Sequence, residues 1–389
     1  MDILFLSHSV PNPPDKGERI RAFHELTRLA AEHRVHLACF ARHPSEAGAA
    51  HALSDRCASV YVETIDSRMA LAKAVARFAA GGCLNEFFYH SARMRRHVEG
   101  LAARVSIRGA LAYSVVMAPY VPRPIPFVLD MIDVDSEKWF QYAGVRRPAF
   151  AYAMEARRLR RMEARCAGTA VRTLLATSAE EQLLLSFAPG VATGFMENGV
   201  DFDFFDPAAS PGAPELARKR YLVFIGTLDY YPNIEAACRF AREVFPTLRQ
   251  REPRLEFFVV GRNPARAVRK LSAWPGVQVT GTVPDVRPYL KHALCQVVPL
   301  RIARGVQNKV LEALAAGKPS LVSAAVAKTF GDRLPRGVFR CESAEDYQQR
   351  LRGEASFPVP EEIREDARKR YSWPVNMGIL AREMRALGA

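Results

Sequence analysis

The sequence has little cysteine and pairs none of it: seven cysteines in 389 residues, an odd number, widely spaced and without a C-x-x-C pair. That argues against a disulfide framework and against a zinc site. No apolar run approaches the roughly 20 residues that a membrane-spanning helix needs. The opening MDILFLSHSV lacks a basic stretch ahead of its apolar residues and lacks a small-residue cleavage pattern, so it reads as a first strand rather than a signal peptide. Low-complexity segments are missing too. A folded cytoplasmic protein is expected, and 389 residues with 49% apolar content suit two domains rather than one.

Acid is the charge in short supply. The formal net charge is +14, which points to an anionic partner: nucleic acid, an anionic bilayer or a phosphorylated substrate. Two strongly basic stretches lie in the N-terminal half. One covers 93–108 and follows Phe87, Phe88 and Tyr89; the other covers 156–172 and carries Arg157, Arg158, Arg160, Arg161 and Arg165. Such stretches either meet anionic lipid headgroups or form solvated, salt-bridged helix faces, and Glu155 and Glu163 support the second reading.

What is present is a repeated alternation of short apolar runs with helical or turn segments. Strands are expected at 3–7, 35–40, 59–62, 110–116, 126–129 and 172–177, with an amphipathic helix over 18–32. The turn signal at 197–201 and a Pro/Ala/Gly/Ser-rich connector reaching Pro214 mark a boundary. The pattern then restarts, with strands at 221–225, 255–260, 277–280, 293–299 and 320–323 and a helix over 234–250. Two Rossmann-like, doubly wound parallel-sheet domains follow from this order, 1–200 and 201–370. Residues 371–389 read as a terminal helix crossing back to the first domain, in a segment with a break at Pro374.

The stretch that organises the rest is PLRIARGVQNKVLEALAAGKP, residues 299–319. A strand, a tight glycine turn and a small-residue helix over 306–316 succeed one another, and Gly317-Lys318-Pro319 supplies the stop. Helical spacing puts Asn308 and Glu312 on one face. Gly305 opens the helix, where free N–H groups and the positive dipole end suit a pyrophosphate. A carboxylate one to two turns in can accept two hydrogen bonds from a ribose diol; the alternative is that Glu312 pairs with Lys309 on a solvated face. Gly226, Gly261 and Gly281 each stand at or just past the end of an apolar run, at the ligand edge of a parallel sheet, where close backbone approach to a nucleotide or an ordinary turn would need them.

Two features of the N-terminal half compete for chemistry. The loop after the first strand, HSVPNPPDKGERIR, projects Asp15 and Lys16, and Gly17 lets its backbone approach a phosphate or an acceptor sugar, or else the loop is a proline-rich connection without function. After the 126–129 run comes DMIDVDSEKW, with Asp130, Asp133 and Asp135 beyond a strand end. Asp133-Val134-Asp135 is formally a D-x-D triplet of the kind that holds a divalent metal on a sugar pyrophosphate. Asp135 or Ser136 capping a helix from Glu137 is the other reading.

Taken together, NGVD at 198–201, FIGTLDYYPN at 224–233, VVGRNP at 259–264, GTVPDVRPYL at 281–290 and LEALAAGKP at 311–319 resemble glycosyltransferase family 4 in order and spacing over nearly the whole chain. The opening LFLSHSVPNPPDKGERIRAFHEL and VDSEKW look most like the sugar transferases of PEP-CTERM/exosortase exopolysaccharide systems. The resemblance implies a GT-B fold, two Rossmann-like domains facing a central cleft, and a retaining, metal-independent transfer from a nucleotide-sugar to a lipid-linked or oligosaccharide acceptor. It implies no resident cofactor.

Carried over by position, Glu312 is the second glutamate of the family's E-x7-E motif and binds the donor ribose. Gly305, Val306, Gln307, Asn308 and Lys309 surround the pyrophosphate, and Lys309 neutralises the leaving group. Gly226, Thr227, Asn233, Gly261, Gly281, Val283 and Arg301 complete the implied donor site. Arg304 stands where the first glutamate is usual and Thr227 where a phosphate-binding arginine often follows the strand glycine. Arg304, with Arg301 and Lys309, can supply cation on the other side of the pyrophosphate. Asp133 and then Asp135 are the acceptor-side candidates, orienting the acceptor hydroxyl or stabilising an oxocarbenium-like transition state. A peripheral position on the inner membrane face goes with the basic stretches. A nucleic-acid binder explains the charge but none of the motifs; a nucleotide-sugar epimerase or a non-catalytic sugar-nucleotide scaffold are the competing functions.

Overall fold

Apolar runs that do not alternate with polar residues are suited to strands covered on both faces, and that is what they form. The computed structural model describes residues 1–14, 17–78, 81–303, 305–331, 333–353 and 357–388. Its chain divides into two compact units, Met1–Glu197 with Asn376–Ala389, and Asn198–Val375.

The first unit holds β1 (Asp2–Ser7), β2 (Arg34–Ala41), β3 (Ser59–Thr64), β4 (Ile107–Tyr113), β5 (Phe127–Ile132), β6 (Arg172–Leu175) and β7 (Thr193–Phe195). They form one sheet in the order β3-β2-β1-β4-β5-β6-β7, every pair parallel. Five of the six residues of β1 are buried, as expected of a central strand with helices on both faces. The second unit holds β8 (Tyr221–Ile225), β9 (Glu256–Val260), β10 (Val277–Gly281), β11 (Cys295–Val298), β12 (Ser320–Val322) and β13 (Val338–Arg340), in the order β10-β9-β8-β11-β12-β13 and again all parallel. The fold is the expected pair of doubly wound α/β sheets.

Each order reverses once, between β1 and β4 in the first sheet and between β8 and β11 in the second. At such a switch point the loops leave toward opposite faces and open a crevice at the carboxyl ends of the strands. The chemistry-bearing residues of both units collect there.

Several local expectations are corrected. The strand expected over 110–116 stops at Tyr113, because Ser114 turns at φ 78° and Val115–Tyr120 coil into a 3-10 helix. The organising helix runs over Asn308–Ala315, so Gly305 (φ 58°) does not open it but belongs to the preceding turn. The helix ends as expected at Gly317 (φ 69°), with Gly317 N–H donating to the Leu314 carbonyl and Lys318 N–H to that of Ala313. Neither Asp135 nor Ser136 caps a helix, since both lie inside Asp135–Val145. The N–H groups at that end are satisfied instead by carboxylates from other helices: Glu180 accepts from Val134 at 2.8 Å, and Glu163 from Ser136 N–H at 2.9 Å and its hydroxyl at 2.5 Å. Burial pushes the Glu163 carboxyl up to about 8.

The basic stretch at 156–172 is largely consumed by the fold. Arg158 donates to the carbonyls of Phe78 and Gly82, Arg160 pairs with Glu137 at 3.0 Å, Arg165 with Glu86 at 3.0 Å, and Arg172 with Glu383 at 3.3 Å. No helix of the described residues is long and apolar enough to cross a membrane.

Candidate active site

In the second unit the carboxyl edge of the sheet is built mostly from backbone. Gly226 follows β8, Gly261 follows β9 and Gly281 ends β10. A Cβ on Gly261 (φ 155°) would stand 1.7 Å from the Gly226 carbonyl oxygen, so the close approach that requires glycine there is between two loops of the protein. A Cβ on Gly226 would stand 3.0 Å from Nζ of Lys309 and 2.9 Å from the side-chain nitrogen of Asn233. The space beside Gly226 is already occupied by those two side chains.

Lys309 therefore sits over the switch point between β8 and β11. Its ammonium donates to Oδ1 of Asn233 at 2.7 Å and lies 4.6 Å from the centre of the Phe224 ring in β8. Asn233 in turn donates to the Thr227 carbonyl at 2.9 Å and is buried. Asn233 thus positions Lys309, and Thr227 contributes its main chain. Burial lowers the Lys309 ammonium to about 8, the neighbouring Glu312 carboxylate opposing the shift. Glu312, one turn on, is pushed up by burial to about 7, with Lys309 opposing. Among the described residues the Glu312 carboxylate has no hydrogen bond or ion pair, so it is left for something else to donate to.

The other expected donor-site residues separate into three groups. Val306 is buried, Gln307 donates to the Gly305 carbonyl at 3.4 Å, and no side chain caps the helix at Gln307. Asn308 accepts from Asn198 at 3.0 Å, which ties the helix start to the NGVD turn. Val283 packs partly buried against the cluster of Tyr221, Phe258 and Leu290, and Arg301 is exposed and shares Glu235 with Arg239, each pair at 3.4 Å. The cation expected from Arg301 is thus partly compensated. Arg304 lies outside the described residues, as do Asp15 and Lys16.

The first unit has a different kind of site at its own switch point. A pocket of about 420 Å³ is lined by His8 after β1, Arg42 after β2, Ser114 after β4, and Glu18, Phe88, Tyr89, Asp135, Lys138, Trp139 and Tyr142 among others. Its walls are aromatic. Trp139 and Tyr142 meet edge to face at 6.3 Å, His8 stacks on Tyr113 at 5.7 Å, and Arg42 donates to the Tyr89 hydroxyl. His8 Nε2 is 3.9 Å from Glu18. Of the two aspartates singled out in the sequence, Asp135 lines this pocket and Asp133 is not among its lining residues. Gly17 is the exposed first residue of the Gly17–Ala30 helix.

Sequence reasoning missed His8, Arg42, Tyr89, Lys138, Trp139 and Tyr142. The one signal available was position, and for five of them only: His8 and Arg42 follow strand ends and Lys138, Trp139 and Tyr142 lie on the helix after β5, whereas Tyr89 ends the short Leu84–Phe88 helix. Among the described residues no group of three or more His, Cys, Asp or Glu side chains is placed to hold a metal ion.

Residues 219–349, which include the whole glycine edge, Lys309 and Glu312, match the family model described as glycosyl transferases group 1. The whole chain is similar in fold to sucrose-phosphate synthase from Thermosynechococcus elongatus, with TM-score 0.71 and 15% identity over 100% of this chain and 99% of that one. Anabaena HepE, solved with UDP, gives TM-score 0.68 and 13% identity over 99% and 100% of the two chains. WaaG, a glycosyltransferase involved in lipopolysaccharide biosynthesis, gives TM-score 0.64 and 16% identity over 96% and 97%. No curated protein matches the chain.

Proposed function

We propose that this protein, a glycosyltransferase with the GT-B fold, moves a sugar from a nucleoside diphosphate donor held at the β8/β11 edge to a lipid-linked glycan precursor. The observation that carries the donor assignment is Lys309: a half-buried ammonium fixed by Asn233 against the Phe224 ring at the switch point, with the carboxylate of Glu312 one turn away. A cation so placed can neutralise the leaving pyrophosphate without reorganising, and such preorganised charge contributes several kcal/mol in a site that excludes water. Glu312 has acceptor capacity for a ribose diol. The uncapped start of the Asn308–Ala315 helix presents N–H groups that a phosphate can accept from.

For the acceptor, the supporting feature is the pocket of the first unit. Trp139, Tyr142 and Phe88 offer faces for sugar C–H groups, and Arg42 and Lys138 suit a phosphate such as joins a glycan to its lipid carrier. Asp135 takes the acceptor-orienting role in this reading. Transfer proceeds with retention and without a metal, with the donor phosphate itself available as base; membership of glycosyltransferase family 4, and of its exopolysaccharide branch, belongs to the same proposal. HepE has been solved with UDP-glucose, which makes UDP-glucose the first donor to try.

The test is release of nucleoside diphosphate from UDP-, GDP-, ADP- and TDP-sugars, with and without membrane lipid extract and with EDTA. Lipid-dependent, EDTA-resistant release from one donor, lost in Glu312→Ala, is expected. Donor binding without release would indicate a scaffold, and an epimerised sugar without acceptor would indicate an epimerase; either result overturns the transfer reading.

A further inference from the structure

Two helices supply walls of the first-unit pocket. Leu84–Phe88 contributes Asn85 and Phe88, and Asp135–Val145 contributes Asp135, Lys138, Trp139 and Tyr142. A helix start leaves main-chain N–H groups without partners, and a Ser, Thr, Asp or Asn at that position is the usual way to meet them. The Ala92–Arg104 helix does so with Ser91 and the Ser178–Phe187 helix with Thr177. Neither wall helix does: Cys83 and Val134 stand at their starts, and neither side chain accepts.

Both starts are met instead from one helix, Ala149–Ala167. The two carboxylate oxygens of Glu155 accept from Leu84 N–H at 2.9 and 2.8 Å, and one of them from Asn85 N–H at 3.3 Å. Glu163 accepts from Ser136 N–H and the Ser136 hydroxyl, while Glu180 of the Ser178–Phe187 helix accepts from Val134 N–H. In the sequence Glu155 and Glu163 read as ion-pair partners on a solvated helix face. Both are fully buried, and among the described residues neither makes an ion pair.

Burying a carboxyl group carries a desolvation cost that a serine at the helix start avoids. Burial accordingly pushes both carboxyls above the usual range. What the arrangement provides is position. Glu155 and Glu163 stand about 12 Å apart along one helix axis, so the starts of both wall helices are referred to a single rigid element. The spacing between the Phe88 and Trp139 side chains follows from it.

We infer that Glu155 and Glu163 are positioning residues of the first-unit pocket: hydrogen-bonded from one helix to the starts of two others, they set the spacing of the aromatic and cationic side chains that receive the acceptor. The inference rests on the reading above in which that pocket takes the acceptor. Hydrogen bonding rather than charge does the holding at Glu163, whose carboxyl, at about 8, keeps its proton at neutral pH. A neutral amide of the same length can make both contacts with Ser136.

The test compares Glu163→Gln, Glu163→Asp, Glu163→Leu and Glu155→Leu in the full chain by two measurements. In amide hydrogen exchange read by mass spectrometry, each leucine variant is expected to speed exchange about tenfold or more in the wall helix it serves, with Asp2–Ser7 and Arg34–Ala41 unchanged. Those segments are 134–145 for Glu163 and 84–89 for Glu155. In nucleoside diphosphate release, the membrane lipid extract needed for half-maximal rate rises in the order Gln, Asp, Leu at unchanged donor KM, by under about twofold for Gln and about tenfold for Leu. The aspartate is one methylene shorter and draws Ser136 out of place, so Asp against Gln decides the matter where a leucine variant does not fold. Unchanged exchange in both wall helices overturns the inference, as does an aspartate variant equal to Gln or a Gln variant equal to Leu. Exchange that rises throughout the unit, with acceptor and donor requirements moving together, marks a merely structural role and overturns it too. Absence of release from every donor sinks the transfer reading alone, because exchange still decides whether the two glutamates hold the wall helices.

Discussion

The two sheets have the same layout at their carboxyl edges and use charge there in opposite ways. At the first edge the innermost charges are spent on the fold, while Arg42, Asp135 and Lys138 line the pocket. Arg21, fully buried, donates to both carboxylate oxygens of Asp130 at 2.6 and 3.0 Å and to the Met196 carbonyl at 2.6 Å, tying the first helix to β5 and to the residue after β7. Glu25, also buried and 3.2 Å from Arg21, has its carboxyl pushed well above the usual carboxylate range by burial and by the nearby Asp130. At the second edge β8, β9 and β10 end at glycines, and among the described residues Lys309 and Glu312 make no ion pair that would consume them. The contrast teaches how to separate structural from functional charge: a structural charge has its hydrogen-bonding capacity filled from several elements, and a functional one is held by a single neutral partner, as Lys309 is by Asn233.

If that distinction is right, neutralising one charge at each edge gives effects of opposite sign on stability. Arg21→Met strands Asp130 in the interior and is expected to cost about 3–5 kcal/mol in chemical denaturation. Lys309→Met removes a charge that burial disfavours; it is expected to stabilise by about 1 kcal/mol while lowering the rate of transfer about 100- to 1,000-fold. Loss of stability in both variants, or retention of rate in Lys309→Met, breaks the comparison. A smaller effect sharpens it within the first unit. Trp139→Ala removes an aromatic wall of the pocket and is expected to raise acceptor KM about tenfold, with donor KM unchanged. A change confined to donor KM would move the acceptor elsewhere.

The same contrast explains what could be read before the structure. The second edge was legible because its parts are consecutive: strand, turn, Lys309, Glu312 and Gly317 fall within one stretch of the chain, and the glycines recur at strand ends. The first pocket was not, because His8, Arg42, Tyr89, Ser114 and Trp139 come from five separate segments and no local pattern joins them. The sheets were legible where runs are buried on both faces. β7 and β13 escaped because they are three-residue edge strands, none of the β7 residues being fully buried. The strand at 110–116 was drawn too long because Val115 and Val116 are as apolar as a strand, yet are buried in a 3-10 turn after Ser114. The partners of the arginines of 156–172 could not be read locally, because the Phe78 carbonyl and Glu86 among them are some 80 residues away.

The last prediction concerns the pair at the second edge, where function and stability are set against each other by pH. Glu312, at about 7, gives up its proton above that value and only then offers a carboxylate to a ribose diol. Lys309, at about 8, keeps its charge only below that value. For the free enzyme kcat/KM is therefore expected to fall as pH drops through about 7 and again as it rises through about 8. The linkage signs run the other way. Glu312 has a folded value raised above 4.5, so its contribution to stability is complete below 4.5 and is lost as pH rises through about 7. Lys309 has a folded value lowered from 10.5, so its contribution is complete above 10.5 and is lost as pH falls through about 8. The window in which both groups are charged, and the donor is best bound, is thus the window in which the pair stabilises the fold least. Bound pyrophosphate favours the charged lysine, so the alkaline limb moves upward in kcat relative to kcat/KM. A rate profile flat from about pH 6 to about pH 9 would remove Lys309 and Glu312 from the reaction, and an alkaline limb at the same pH in both parameters would remove the lysine from the pyrophosphate.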